Sequence, residues 1–82
     1  MPESTKIPAP DIGGNIRRAR EAVGISLRAM ARHIGVKPQV WCDTELGRRR
    51  PKADEVWRAA HRLGVPVGML FMAVDSAARK AA

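Results

Sequence analysis

Residues 24 to 51 read GISLRAMARHIGVKPQVWCDTELGRRRP, and this stretch constrains the fold more than any other. Glycines at 24, 35 and 47 divide it into two segments, each with room for one short helix. In the first, Leu27, Met30, Ala31 and Ile34 recur at i, i+3, i+4 and i+7, the spacing of one helix face. Ser26 is placed to cap its N-terminus through the hydroxyl. Gly35 suits the left-handed residue that ends a helix. The second segment opens at Pro38, where a proline at the first helical position loses no hydrogen bond. It runs to Leu46 and stops at Gly47. Val40, Trp41 and Thr44 fall on one side, with Gln39, Cys42, Asp43 and Leu46 on or near the other.

Two short helices joined by a tight glycine-containing turn form a helix-turn-helix unit. The second helix of such a unit can enter a DNA major groove. The flanking sequence predicts three more helices. One runs from Ile12 to Val23 with Asp11 as N-cap and Ile12, Ile16, Ala19 and Val23 as its buried stripe. Another spans Ala53 to Leu63, burying Ala53, Val56, Trp57, Ala60 and Leu63. A last one starts near Pro66, carries Met69, Leu70, Phe71, Met72 and Val74, and can extend toward Arg79. No strand-like alternation and no repeat is present. The expectation is an all-α, compact five-helix domain. Residues 1–10, with three prolines, read as a flexible arm. Residues 11–74 read as the folded domain, and 75–82 as a tail or helix extension.

The 82 residues suffice for one small domain. Formal net charge is +7, and 11 of the 15 basic residues are arginine, which favours a polyanion partner. With Cys42 as the single cysteine, neither an intramolecular disulfide nor a paired-cysteine metal site can form. No signal-peptide core is visible, and no apolar run approaches the roughly 18 residues of a membrane span. A cytoplasmic protein without membrane contact is expected. His33 and His61 lack metal-ligand spacing, Gly13-Gly14 lacks the strand context of a dinucleotide loop, and no nucleophile–base pair is seen. No enzyme activity, cofactor or metal is therefore expected.

The residues carry a resemblance. Ile16-Arg17 and Arg20, then Gly24-Ile25-Ser26, Met30-Ala31, Ile34-Gly35-Val36, Glu45-x-Gly47, Pro51, Ala60-x-x-Leu63-Gly64-Val65 and Leu70-Phe71 follow in unbroken register. The chain resembles the phage-repressor, Cro/XRE-type helix-turn-helix proteins over about residues 12 to 71. That resemblance implies a repressor-like domain, usually dimeric, that reads an inverted-repeat operator with its third helix. It also implies an ion pair between Arg20 and Glu45 that ties the recognition helix to the first helix, and an origin in a bacterium, phage or mobile element. Four positions depart from the family pattern. Leu27 stands where a glutamine often reaches DNA, and it cannot donate a hydrogen bond. Lys37 replaces a capping Ser or Thr and offers a cation instead. Trp41 and Thr44 replace core aliphatics.

On this reading Lys37, Pro38, Gln39, Cys42 and Asp43 face bases or the groove wall. Gln39 can pair bidentately with adenine. Asp43 can accept from cytosine or pair with a nearby arginine, and Cys42 can graze a thymine methyl. Arg28, Arg32, Arg48, Arg49, Arg50 and Lys52 are the phosphate candidates, the last four because they follow the recognition helix directly. Met69, Phe71, Met72 and Val74 are the candidate dimer interface. The function expected is sequence-specific DNA binding by a homodimeric repressor, controlled by concentration and acting also on its own promoter. Two other readings fit the same residues. One is an antitoxin that holds a toxin with its apolar C-terminal helix. The other is a protein-binding module that has lost DNA readout, with Leu27 and a donor-poor third helix marking the change.

Overall fold

The computed structural model describes residues 10–72. Four α-helices follow in order: α1 (Ile12–Val23), α2 (Leu27–Ile34), α3 (Pro38–Glu45) and α4 (Ala53–Leu63). A 3-10 helix, Val67–Phe71, closes the described chain. Local chemistry sets the helix ends. The Asp11 carboxylate accepts from the Gly14 N–H, and the Ser26 hydroxyl accepts from the Ala29 N–H at 3.0 Å. Pro38 opens α3 with Lys37 as an N-cap that makes no side-chain bond. Gly35, at φ +94°, ends α2 in the left-handed region, where a Cβ would be strained.

Ile16, Met30, Ala31, Ile34, Trp41, Val56, Ala59, Ala60, Leu63 and Leu70 form the core. Ile12, Ala19, Ile25, Leu27, Val36 and Val65 pack at its edge. Helix α1 crosses the C-terminal end of α3 so closely that a side chain at position 13 would collide with the Thr44 carbonyl and crowd the Glu45 backbone. Gly13 thus permits the approach that brings Arg20 to Glu45.

The expected fifth α-helix is a 3-10 helix instead. Its carbonyls are taken sideways: the Asn15 amide of α1 donates to the Leu70 and Met72 carbonyls, each at 2.8 Å. Met72, the C-cap of this 3-10 helix, is extended. Three expected core residues are solvent-facing. Val23 (55% exposed) lies in the last turn of α1, beside the chain reversal at Gly24. In α4 the buried face is Glu55, Val56, Ala59, Ala60 and Leu63. Ala53 and Trp57 therefore turn outward, and the Trp57 ring stacks on His61 at 5.3 Å. The buried Glu55 has its polar partners on the inward side of α4. Val74, the arm before Pro10 and the tail 75–82 lie outside the described residues.

Candidate nucleic-acid interface

The helix-turn-helix is held by a buried ion pair. Arg20 Nε and Nη2 donate to the two Glu45 carboxylate oxygens at 2.8 and 3.0 Å, and Nη1 donates to the Ile25 carbonyl at 2.7 Å. The two side chains are only 9% and 2% exposed. The hydrogen bond to Glu45 raises the Arg20 pKa; burial opposes this, and the charges of Glu45 and Glu21 add to it. This bidentate pair fixes the end of α3 against α1 and the turn before α2.

With that end anchored, α3 presents Gln39 and Leu46 to solvent and Pro38, Cys42 and Asp43 at half burial. Gln39 Nε2 donates to Asp43 Oδ1 at 3.2 Å, one turn along the helix. Arg48 lies 3.8 Å from the same carboxylate oxygen. Asp43 therefore has two partners on the protein, and both hold it at the rim of α3. Lys37 is exposed at the opposite end of the helix. Leu27 packs at the core edge, in a shallow groove that it shares with Cys42 and Leu46.

Arg48, Arg50 and Lys52 project from the loop after α3, and Arg28 and Arg32 are exposed on α2. Arg49 sits differently. Its guanidinium donates to the Thr44 hydroxyl at 2.7 Å and to Glu55 Oε2 at 2.9 Å. Thr44 in turn donates to the Val40 carbonyl, and Glu55 Oε1 accepts from the Lys52 N–H at 3.0 Å. Burial alone would push the Glu55 carboxyl up. The hydrogen bonds from Arg49 and the Lys52 backbone, with both positive charges, outweigh it and hold the group below the ordinary carboxylate range. The hydrogen bond to Glu55 raises the Arg49 pKa against a smaller effect of burial.

Three side chains that shape the interface were not foreseen from the sequence. Glu55 occupies the third position of α4, where a glutamate can accept from the N-cap N–H, but a lysine at the N-cap hides the usual signature. Asn15 sits inside α1, where asparagine is a poor helix former, and that was its one signal. Arg58 of α4 donates to the Ile34 carbonyl at 3.0 Å and closes the end of α2. Met69, Phe71 and Met72 are 52%, 45% and 62% exposed at the end of the described chain.

The architecture is that of a known family. A family model described as a helix-turn-helix domain matches residues 11–70, and the chain belongs to that family, in the Cro/XRE type that its residues resemble. Among solved structures it is similar to ClgR, the clp gene regulator of Corynebacterium glutamicum, with 26% identity and a TM-score of 0.71 over 74% of this chain. The chain spans 65% of that ClgR chain. The restriction-modification controller protein C.AhdI of Aeromonas hydrophila shares the fold, at 24% identity and TM-score 0.69, over 76% of this chain and 94% of that one. Hydroxypropylphosphonic acid epoxidase of S. wedmorenis also contains a similar unit, at 26% identity and TM-score 0.69, covering 83% of this chain but 36% of the enzyme. No curated protein matches the sequence. Among the described residues no group of three or more His, Cys, Asp or Glu could hold a metal ion. No helix among them is long and apolar enough to cross a membrane.

Proposed function

We propose that this chain is a sequence-specific, DNA-binding transcription regulator that acts as a homodimeric repressor on an inverted-repeat site. One observation carries the reading: the exposed face of α3 is locked to α1 by the Arg20–Glu45 pair and flanked by the outward cations Arg48, Arg50 and Lys52. A rigid helix with cations at its end is what major-groove docking requires. The cations bind phosphate and set register, and the helix face reads bases. Likeness to a named gene regulator supports it. Gln39 is the principal reader, pre-positioned by Asp43, and Cys42 and Leu46 offer apolar contact to thymine methyls. Arg28 and Arg32 contact the backbone from α2, and Lys37 reaches it from the start of α3. A second copy covers Met69, Phe71 and Met72, whose apolar surface is otherwise in water. Two recognition helices would then enter successive grooves about 34 Å apart.

The test is selection of bound sequences from random duplex DNA by the full chain. An enriched inverted repeat is expected. In Gln39→Ala the preference at one base pair should relax, at a cost of about 1–3 kcal/mol on the best site. An unchanged motif would remove Gln39 from the reading set. Absence of binding to any duplex would overturn the proposal and turn attention to a protein partner at the C-terminal apolar surface.

A further inference from the structure

The three consecutive arginines after α3 do not share one role. We infer that Arg49 is a positioning residue, held by Glu55, and that its neighbours Arg48 and Arg50 make the loop's phosphate contacts. The inference rests on the DNA-binding reading above and assigns the work within it.

The side chain of Arg48 is 71% exposed, whereas that of Arg49 is 28% exposed. Arg50 is exposed, and among the described residues its guanidinium has no ion-pair partner within 4.0 Å. Arg49 instead occupies the middle of a continuous line of hydrogen bonds. The line starts at the Val40 carbonyl inside α3, passes through the Thr44 hydroxyl and the Arg49 guanidinium to Glu55, and ends at the Lys52 N–H that opens α4. It therefore joins the recognition helix to α4 across the basic loop. The backbone is tied at the same place, because the N–H groups of Arg48 and Arg49 both donate to the Asp43 carbonyl. With residue 49 pinned inward, the side chains on either side are directed to solvent. Turning the Arg49 side chain outward to a phosphate would leave Glu55, whose side chain is 6% exposed, as a buried carboxylate without its cation.

Three substitutions separate the roles, two that remove a positive charge and one that removes a negative charge. Affinity of the full chain for a mixed-sequence DNA duplex is measured against salt concentration. Arg50→Gln should flatten the slope of log K against log salt by about one unit, as loss of a phosphate contact does. Arg49→Gln should weaken binding while flattening the slope far less. Glu55→Gln removes a negative charge and yet should also weaken binding, several-fold, with the slope kept. If Glu55 merely sequesters a phosphate ligand, Glu55→Gln will free Arg49, tighten binding and steepen the slope, and that result overturns the inference. If Glu55→Gln does not fold, Arg49→Lys decides. It keeps the charge but cannot bridge Thr44 and Glu55 in the same way, so positioning predicts weaker binding at constant slope. Unchanged affinity would show phosphate contact. A wild-type chain that binds no duplex overturns both readings, whereas tighter binding by Glu55→Gln overturns this one only.

Discussion

At Arg20 each guanidinium nitrogen makes one hydrogen bond, and the value of the pair lies in what its loss would leave behind. Glu45→Ala strands a cation at 9% exposure. The expected destabilisation is about 3–5 kcal/mol, measured by urea unfolding; a change under about 1 kcal/mol, typical of an exposed pair, would show the site to be wet. This residue pair was legible through the family resemblance. The Thr44–Arg49–Glu55 line was not. In sequence Thr44 looks like a weakened core position, and Arg49 like one of three equal cations. Only the placement of Glu55 makes the threonine hydroxyl useful, since it accepts from Arg49 where an aliphatic side chain could not. Trp41 is the counterpart: it fills the core at 0% exposure, but its buried indole N–H has no partner among the described residues. Volume rather than hydrogen bonding accounts for its place there.

Helices in this chain begin and end where their terminal residues direct. Ser26, Pro38, Gly35 and Gly64 act within a turn of themselves, so the limits of α2, α3 and α4 could be read from neighbours in sequence. Ser26→Ala should cost about 0.5–2 kcal/mol through the orphaned Ala29 N–H. Because α2 contributes Met30, Ala31 and Ile34 to the core, the loss should appear as a lower melting temperature of the whole domain rather than as local fraying. A normal melt with increased amide exchange confined to residues 27–30 would contradict that coupling. Two element-level expectations failed for one shared cause. Both involve side-chain polar bonds that periodicity does not register: Glu55 on the inward face of α4 is bonded by Arg49 from the preceding loop, and the 3-10 helix is bonded by Asn15 from the far end of the sequence. Periodicity ranks Trp57 above Glu55 as a core residue, and nothing local shows that Arg49 waits for a carboxylate. Likewise Asn15 is 55 residues from the Leu70 carbonyl to which it donates.

For the molecule as a whole, net charge of +7 favours polyanions and at the same time makes acid stability depend on its few buried carboxylates. Glu55 titrates below the ordinary carboxylate range when folded and within it when unfolded. The unfolded chain therefore takes up its proton first as pH falls. Stability contributed by Glu55 is complete above the ordinary range and is lost as pH drops through it toward the folded value. Melting temperature should fall on that acid limb, and Glu55→Gln should show a lower melting temperature at neutral pH with a shallower acid decline. Parallel curves for the two proteins would mean that Glu55 is not the group responsible. The sequence alone determined the all-helical class, the helix-turn-helix, the caps and the basic loop behind α3. Each of these depends on contacts within a few residues or on summed charge. The tertiary structure decided which arginine turns inward, which face of α4 is buried and where the last helix stops. Those outcomes depend on polar groups meeting across elements, and a buried donor or carboxylate can be satisfied only by the partner that the packed helices bring to it.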